Sequence, residues 1–476
     1  MLKTKIVCTI GPACKSETIL ESMINSGMNV ARLNFSHGSH EEHLESIDMV
    51  KKVREKLCKP VALMQDTRGP EIRIKSFKQP TAVLEDGKEF TLTTRDVDGN
   101  SGIVSVTYAD LPSQLHEGCI VLIDDGSVEL RVKSISGTDI ICEIVRGGTI
   151  SSKKGINIPR VHINMTYLSE QDKKDVLFGV EHDIDFIAAS FVRNRDDVIC
   201  LRKFIDYHGG HDIKIISKIE NLEGIENFDE ILKYSDGIMV ARGDMGVEVE
   251  YERLPGLQKR FIRKCYQSGK MVITATQMLE SMINKPTPTR AEITDVANAV
   301  FDGTSAIMLS GETAMGKYPI RAVEVMANIA EQAEKDAFEM EVYKGIRYDM
   351  DTSDTTNAVC DAACTTARDI NAKAIIALTK YGNTARRMSK FRPFEPIIAA
   401  TPVEKTYYQL AMSWGVYPVL AKPQKNSDDL FLHAIDCAKQ LDAVVEGDMV
   451  VIAAGIPLDI SGNTNLIKVE VVGKHF

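Results

Sequence analysis

The sequence is poor in cysteine, lacks a long apolar run and shows no excess of positive charge. Its 10 cysteines in 476 residues are too dilute for a disulfide framework, and none belongs to a CxxC pair. Cys360 and Cys364 are spaced for one helix face, and we favour packing in a core over a metal site for them. No apolar stretch approaches the ~20 residues of a membrane span, and the first residues lack the pattern of a secretory leader. These absences predict a soluble, cytoplasmic protein.

The balance of charge excludes two classes of partner. With 57 lysines and arginines against 67 aspartates and glutamates, the formal charge is −10. Non-specific binding to nucleic acid or to an anionic membrane requires a positive surface, so neither is expected. The chain is 44% hydrophobic and 26% charged, as ordinary globular proteins are, and at about 100–200 residues per domain its length predicts two to four domains. A protein of this charge that binds phosphates must gather its cations locally.

Short apolar, β-branched runs recur through roughly the first 340 residues, each followed by a polar or glycine-rich stretch and a helical pattern. Continuous apolar character is typical of parallel strands that are buried on both faces. The runs are Lys5–Ile10, Met28–Leu33, Val61–Met64, Phe186–Ala189, Ile213–Ile216, Gly237–Val240, Met271–Thr274 and Ala306–Leu309. They start one βα unit apart, except for a step of about 125 residues after the third run. This spacing predicts an α/β fold, a (β/α)8 TIM barrel with an insertion after strand 3.

The insertion and the C-terminal region have patterns of their own. In the insertion, short strand-like runs are separated by glycine, asparagine and aspartate, which is typical of a small all-β domain. After about residue 345, helical segments alternate again with apolar runs, which predicts an α/β domain with a mostly parallel sheet. We expect a TIM-barrel catalytic domain over 1–69 and 168–345, an inserted β-barrel lid domain over 70–167 and a C-terminal α/β domain over 346–476, with a linker at Asp349–Thr356.

Charged and polar residues follow the predicted barrel strands at the end where TIM-barrel active sites lie. They belong to Ala31–Gly38, Gln65–Arg73, Ser217–Asn221, Ala241–Gly246, Ala275–Met278 and Ser310–Thr313. Together they offer oxygen ligands for Mg²⁺ and cations for a moving phosphoryl group, which is the set that phosphoryl transfer requires. Taken singly, Lys218 with Glu220 is open to interpretation as a structural ion pair, Asp244 as a helix cap, and Asp66–Pro70 as the turn into the insertion.

The chain resembles the pyruvate kinase family, and the spacing and domain order match along its whole length. The resemblance rests on Ala31–Gly38, Asp66–Arg73, Ser217–Gly224, Met239–Gly246, Ile273–Met278 and Met308–Thr313. It implies a barrel with a β-domain inserted after the third strand and a C-terminal regulatory α/β domain. It also implies transfer of a phosphoryl group from phosphoenolpyruvate to ADP, which gives pyruvate and ATP in the last step of glycolysis.

The resemblance assigns catalytic and metal-binding roles. Glu220 and Asp244 resemble the ligands of Mg²⁺ (or Mn²⁺), Lys218 resembles the cation that stabilises the transferring phosphoryl group, and Arg32 resembles the phosphate-binding arginine. Thr276 resembles the residue beside the enolate carbon, where a hydroxyl group relays a proton from water.

The remaining parts of the active site follow from the same resemblance. The substrate carboxylate is expected on the backbone N–H groups of Gly243 and Asp244, at a predicted helix start. The nucleotide is expected at Asn34, Phe35, Ser36, His37 and Arg73. The K⁺ ligands resemble hard oxygen donors at Asn34, Ser36, Asp66 and the carbonyl of Thr67. Family members with glutamate at the position of Glu71 tend to need K⁺, so we expect K⁺ dependence.

Two stretches depart from the family pattern. Gln171 stands where many relatives carry a lysine that contacts the nucleotide, so we expect weaker ADP binding than in those relatives. The sugar-phosphate effector loop is matched by Thr379, Lys380, Tyr381, Gly382, Asn383 and Thr384, of which Tyr381 and Asn383 are unusual. The loop predicts a phosphorylated metabolite as effector, with plain helix capping by Thr384 as the alternative. Gly462–Asn465 resembles the second loop of that pocket.

Two other functions remain open. A Schiff-base aldolase would use Lys218 as its nucleophile, but it needs an uncharged amine, and nearby Glu220 and Asp244 favour the ammonium form. A non-catalytic regulatory barrel is disfavoured because no residue of the catalytic set is missing.

The family is usually tetrameric, so we expect a homotetramer that binds phosphoenolpyruvate, ADP or ATP, and pyruvate.

Overall fold

The computed structural model describes residues 1–343, 354–424, 426–457 and 463–474, and it begins with three strands that alternate with helices. These elements are β1 (Lys5–Thr9), α1 (Glu17–Asn25), β2 (Met28–Asn34), α2 (His40–Leu57) and β3 (Ala62–Asp66). Side-chain caps fix the helix starts: the Ser16 hydroxyl accepts the N–H of Ile19, and Ser39 forms a capping box with Glu42. β1 and β3 are buried along their whole length, as strands with helices on one face and a barrel interior on the other must be.

After β3 the chain leaves the barrel and forms a unit of short strands with one short helix. Its elements are β4 (Ile72–Arg73), β5 (Thr81–Leu84), β6 (Glu89–Thr93), β7 (Ile103–Ser105), α3 (Leu111–Gln114), β8 (Ile120–Ile123), β9 (Val128–Ser136), β10 (Asp139–Arg146), β11 (Gly148–Ser151) and β12 (Gly155–Asn157). Seven strands form one sheet in the order β4-β12-β8-β9-β10-β6-β7, and β5 pairs with β11. The edge strands meet, because the Lys75 N–H donates to Ser105 O at 2.7 Å and the Thr107 N–H to Arg73 O at 2.9 Å.

The chain then returns and completes the barrel. The second part comprises α4 (Glu170–Glu181), β13 (Phe186–Ala189), α5 (Arg195–Tyr207), β14 (Lys214–Ile219), α6 (Leu222–Glu226), α7 (Phe228–Tyr234), β15 (Gly237–Ala241), α8 (Arg242–Glu248), α9 (Leu254–Gln267), β16 (Met271–Ala275), α10 (Arg290–Phe301), β17 (Ala306–Leu309), α11 (Gly311–Ala314) and α12 (Pro319–Glu339). The closed barrel has the order β1-β17-β16-β15-β14-β13-β3-β2. Each of the eight predicted runs overlaps one of these strands, which confirms the predicted (β/α)8 barrel with an insertion after strand 3.

The last part of the chain forms a five-stranded α/β sheet. Its elements are α13 (Thr355–Asp369), β18 (Ala374–Leu378), α14 (Asn383–Lys390), β19 (Ile397–Thr401), α15 (Glu404–Leu410), β20 (Val416–Leu420), α16 (Ser427–Gln440), β21 (Met449–Ala454) and β22 (Leu466–Val471). The order is β20-β19-β18-β21-β22, and only the pairing of β21 with β22 is antiparallel, so the predicted mostly parallel sheet is confirmed. Most of the predicted linker lies outside the described residues, and its end is helical, because α13 begins at Thr355.

The C-terminal unit packs against the N-terminal end of the barrel. Ala411 and Met412 join the cluster of side chains that fills the barrel interior. Cys360 and Cys364 are buried on α13 in a core of their own domain, as the packing interpretation predicts. Among the described residues, no helix is long and apolar enough to cross a membrane.

Two lysines of the first strand region are buried at this junction. The Lys5 ammonium donates to Val416 O at 2.7 Å and lies 4.4 Å from the centre of the Tyr417 ring. The backbone N–H groups of Lys3 and Thr4 donate to the Glu334 carboxylate. Burial lowers the pKa of Lys5 to about 7 and that of Lys3 to about 8, although Glu334 opposes the shift.

We expect Lys5→Met to flatten the pH dependence of stability above neutrality. Between about pH 7 and 10.5 the unfolded chain holds a proton that folded Lys5 has released, so the free energy of unfolding rises with pH in this window. The methionine variant loses this rise, which is worth up to roughly 4 kcal/mol between pH 7 and 10, and is more stable than the parent at pH 7. Thermal unfolding between pH 7 and 10 measures the effect, with the exposed Lys52→Met as control. Equal slopes for Lys5→Met and the parent would contradict the expectation.

Candidate active site

A cleft of about 610 Å³ opens between the C-terminal ends of the barrel strands and the inserted sheet. Arg32 and Asn34 reach it from β2, and Lys218 and Glu220 from the end of β14. The opposite wall belongs to the insertion and includes Asp125. Parallel strands bring their C-terminal residues to one end of a barrel, which is why residues far apart in sequence meet here.

Asp66 holds the two principal cations of the cleft. Its carboxylate accepts hydrogen bonds from Arg32 Nε at 2.6 Å and from Lys218 Nζ at 3.0 Å, and it is 1% exposed. Burial alone would raise the pKa of Asp66, but the charges of Arg32 and Lys218 outweigh it and keep the pKa below its ordinary value. Asp66 is therefore ionised and fixes the positions of both cations.

Lys218 and the two predicted metal ligands form the centre of the site. The Lys218 ammonium lies 2.9 Å from Glu220 Oε1. Burial disfavours its charge, yet Asp66 and Glu220 together raise its pKa above the ordinary value, so Lys218 is a cation. A Schiff-base nucleophile must be uncharged, so the charge of Lys218 argues against the aldolase alternative. The ion pairs of Lys218 do not exclude a catalytic role, because its ammonium lines the cleft.

Glu220 and Asp244 lie close together, with Glu220 buried and Asp244 half-buried. Burial, with repulsion from Asp244, raises the pKa of Glu220 above its ordinary value, and burial raises the pKa of Asp244 as well. The Phe191 N–H donates to Glu220 Oε2 at 2.6 Å and orients this carboxylate. Two desolvated carboxylates at one cleft require a cation to be fully ionised, and hard oxygen ligands suit Mg²⁺. The pair would thus hold a divalent metal, which would supply the positive charge that the two carboxylates need.

Asp244 is not a helix cap. It lies in the first turn of α8, and the N-terminus of that helix has no side-chain hydrogen bond from its cap residue, Ala241. The structural interpretation of Asp244 is therefore wrong, which leaves its carboxylate for the cleft.

Thr276 and Gly243 meet at the ends of neighbouring strands. The Thr276 hydroxyl accepts the Gly243 N–H at 2.8 Å and donates to Ala275 O at 2.6 Å. Thr276 has a φ of +68°, a left-handed conformation that strains a β-branched residue. Arg242 holds it there by donating to Thr276 O at 2.6 Å while it pairs with Asp295. The predicted carboxylate site on Gly243 therefore has the Thr276 hydroxyl as its neighbour.

The predicted nucleotide residues do not all face the cleft. Asn34, Ser36, His37 and Arg73 line it. The Phe35 ring is 1% exposed and stacks on His43, with ring centres 4.0 Å apart, so its side chain belongs to the core. A contact from Phe35 to a nucleotide would have to come from its backbone.

The predicted K⁺ ligands lie at the ends of two paired strands. Asn34 and Asp66 are register partners in β2 and β3, and Thr67 follows directly. The Thr67 carbonyl accepts the Ser190 hydroxyl at 2.6 Å, and Asn34 Oδ1 accepts the Ser36 N–H at 3.1 Å. A carbonyl oxygen has two lone pairs, so each keeps one for a cation. The donor set fits a hard monovalent ion.

Ser190 and Thr9 are site residues that the sequence interpretation missed. Ser190 accepts a hydrogen bond from Lys218 Nζ at 2.8 Å, and Thr9 Oγ1 accepts one from Arg32 at 2.8 Å. Thr9 ends β1 and Ser190 follows β13, the two barrel strands whose ends were not considered. The other site residues were located by examining the residues that follow each barrel strand, and the same criterion applied to β1 and β13 would have identified Thr9 and Ser190.

Gln171 lies beside the cleft rather than in it. Its amide donates to Asp175 Oδ1 at 2.7 Å, and Asp175 also contacts His40 at 2.7 Å and Arg68 at 3.2 Å. The buried Asp175 thus contacts Gln171, His40 and Arg68 behind the wall of the cleft, and Arg68 is part of that wall.

The predicted effector loop joins β18 to α14. Thr379, Gly382 and Thr384 are buried, and Lys380, Tyr381 and Asn383 are exposed. The Thr384 hydroxyl contacts the Thr464 hydroxyl at 2.8 Å, so it does not cap α14, and the capping alternative is wrong. This contact joins the two predicted loops, although Gly462 lies outside the described residues.

Comparison with known proteins gives a consistent result along the chain. Two family models match it: "Pyruvate kinase, barrel domain" over residues 1–323 and "Pyruvate kinase, alpha/beta domain" over residues 357–470. A pyruvate kinase of Clostridium acetobutylicum is 48% identical over 473 residues, which cover 99% of this chain and 100% of the relative. A pyruvate kinase of Staphylococcus haemolyticus is 49% identical over 479 residues, covering 99% and 81%. One from Clostridium perfringens is 46% identical over 475 residues, covering 99% and 100%.

Proposed function

The chain belongs to the pyruvate kinase family, and from this premise we propose how its own residues serve the reaction. The enzyme transfers a phosphoryl group from phosphoenolpyruvate to ADP and gives pyruvate and ATP, the last step of glycolysis. The observation that best supports the proposed roles is the Lys218 ammonium, which is buried, charged and held between Asp66 and Glu220 at the cleft.

Lys218 and Arg32 bind the phosphoryl group in this proposal. Both are fixed by Asp66 before substrate arrives, so little reorganisation is needed when charge spreads over the transferring oxygens. Glu220 and Asp244 would hold Mg²⁺ (or Mn²⁺), which when bound neutralises charge on substrate oxygens. Asn34, Ser36, His37 and Arg73 would place the nucleotide on the other side of the cleft.

Thr276 serves the second half of the reaction. Phosphoryl transfer leaves an enolate, which must gain a proton on carbon. The Thr276 hydroxyl both accepts and donates hydrogen bonds, which is what a relay from water requires. Next to it, the N–H groups of Gly243 and Asp244 would take the substrate carboxylate, in exchange for the present bond from Gly243 to Thr276.

A coupled assay tests the activity directly. Purified protein with phosphoenolpyruvate, ADP, Mg²⁺ and K⁺ is expected to form pyruvate, followed by lactate dehydrogenase and NADH consumption. Borohydride treatment with pyruvate is expected to trap no adduct on Lys218. Absence of pyruvate formation, together with a trapped adduct, would favour the aldolase alternative.

We expect activity to depend on K⁺. Oxygen ligands are supplied by Asn34, Ser36, Asp66 and Thr67. Residue 71 is a glutamate, which, unlike a lysine, adds no positive charge beside them. The carboxylate of Glu71 pairs with Arg73 at 2.6 Å. In a tetramethylammonium buffer free of Na⁺ and K⁺ activity should fall about tenfold or more, and added KCl should restore it. Full activity without K⁺ would refute the K⁺ site.

Gln171→Lys is expected to lower the KM for ADP a fewfold, with little change in kcat. A lysine adds a cation near the nucleotide side of the cleft, where ADP brings negative charge. Gln171→Met serves as control for loss of the contact with Asp175. An unchanged KM for ADP in Gln171→Lys would count against the nucleotide-side position of residue 171.

The remaining assignments are proposals supported by the family and by the fold. They comprise the domain limits, a phosphorylated effector at Thr379–Thr384, a homotetramer and a cytoplasmic location. The role of the insertion as a lid is supported by two contacts that cross to the barrel: Asn157 Nδ2 donates to Glu248 Oε1 at 2.9 Å, and Arg160 pairs with Glu250 at 2.6 Å. A lid over this cleft excludes water from the transferring group.

A further inference from the structure

A second cavity lies at the opposite end of the barrel, against the C-terminal domain. Its volume is about 400 Å³. The barrel contributes Lys214, the first residue of β14, and Lys270, which precedes β16. The C-terminal domain contributes one face of α14, with Arg386, Arg387 and Lys390. The cavity is thus built from two domains and is remote from the active-site cleft.

The cavity wall is strongly cationic. Five basic side chains line it, against the two carboxylates of Asp236 and Asp354. Asp354 pairs with Arg387, and Asp236 lies 3.7 Å from the Lys214 ammonium, beyond hydrogen-bonding distance. In a chain with a formal charge of −10, this is a local reversal of sign.

Two of the cations are held without a carboxylate. Lys270 donates to the backbone carbonyls of Leu232, Lys233 and Ser235 at 2.5 to 2.8 Å. Arg386 donates to Tyr381 O and to Asn383 Oδ1. Within the described parts of the chain, no carboxylate forms an ion pair with either side chain. Burial lowers the pKa of both Lys270 and Arg386, although the charge of Asp236 opposes each shift.

We propose that this cavity binds a phosphoryl dianion and so bridges the barrel and the C-terminal domain. A volume of about 400 Å³ accommodates a small phosphate ester as well as inorganic phosphate. Lys214 lines the cavity from the barrel and Arg386 lines it from α14, and Lys270 and Arg387 add charge. Guanidinium and ammonium groups are the side chains that bind phosphoryl oxygens.

Trp414 makes binding measurable. It is the only tryptophan of the chain and is 1% exposed. Its ring lies 4.5 Å from the Arg392 guanidinium carbon and lines a recess that shares Lys270 and Arg386 with the cavity. Titration with inorganic phosphate at constant ionic strength is expected to change Trp414 fluorescence in a saturable way and to raise the melting temperature. A parallel titration with glycerol 3-phosphate identifies the source: tighter binding of the ester indicates a metabolite, and tighter binding of phosphate indicates the free ion.

Variants of opposite sign test the location. Lys214→Gln is expected to weaken phosphate binding about tenfold, and Asp236→Asn to strengthen it about threefold, because they remove charges of opposite sign from one wall. Lys380→Gln, in the predicted effector loop, is expected to leave unchanged the part of the titration that Lys214→Gln weakens. The proposal is overturned if wild type gives no saturable response, if Lys214→Gln and Asp236→Asn have no effect, or if Lys380→Gln abolishes the signal.

Discussion

Replacing Lys218 by methionine is expected to lower kcat about 10³-fold, the largest effect of any single substitution in the cleft. The side chain is of similar length, so it fills the space but carries no charge. The lost ammonium lies 2.9 Å from Glu220 and 3.0 Å from Asp66, in a buried site where charge is weakly screened. Of the two side-chain cations proposed to bind the phosphoryl group, only Arg32 then remains to oppose the charge that spreads over its oxygens.

The measurement must separate chemistry from folding, because Lys218 also neutralises buried carboxylates. Steady-state kinetics at saturating phosphoenolpyruvate and ADP give kcat, and thermal unfolding reports whether the variant is folded. The exposed Lys174→Met is the matched control and should retain parental kcat. A folded Lys218→Met enzyme with kcat within tenfold of the parent would disprove the proposed role.

Asp244→Asn is expected to lower kcat about 10²-fold and to raise the Mg²⁺ concentration required for half-maximal activity. An amide retains one oxygen donor but loses the charge that attracts a divalent cation. Asp244 also raises the pKa of its neighbour Glu220 by repulsion, after the larger effect of burial. Glu220 is therefore more readily ionised in the Asp244→Asn variant. Its single negative charge does not replace the charge that is lost at residue 244.

The Mg²⁺ dependence of the rate checks this expectation. Glu248→Gln is a useful comparison, since residue 248 ends the same helix α8 and lines the same cleft but is not a proposed ligand. It should alter the Mg²⁺ requirement little. If Asp244→Asn shifts only the KM for ADP and leaves the Mg²⁺ requirement unchanged, Asp244 is a positioning residue rather than a ligand.

Much of the barrel was predictable because each strand is buried on both faces and therefore reads as a short apolar run. Phe186–Ala189 and Ala306–Leu309 have the same limits in the prediction and in the structure. The strand from Lys214 to Ile219 was predicted too short at its end, because Lys218 is a charged residue within a buried strand. The polar residues Ser217 and Lys218 interrupt the apolar pattern there.

The site was predicted less completely than the barrel. Residue types at strand ends indicated where the cleft lies, but they did not show which way each side chain turns. Phe35 follows Asn34 at the cleft, yet its ring is in the core. Ser190 and Thr9 carry no charge and were overlooked, although they bond to Lys218 and Arg32.

The sequence by itself determined the order of the strands, the place of the insertion and the identity of the charged residues, since these depend on local hydrophobic pattern and spacing. Only the tertiary structure decided which charges meet and how they titrate. Asp66 stays ionised because two cations converge on it, whereas Glu220 and Lys5 have shifted pKa values because the fold removes them from water. The local excess of positive charge between the barrel and the C-terminal domain also arises only in the tertiary structure, because it combines residues of two domains. The chain's overall charge of −10 gives no sign of it.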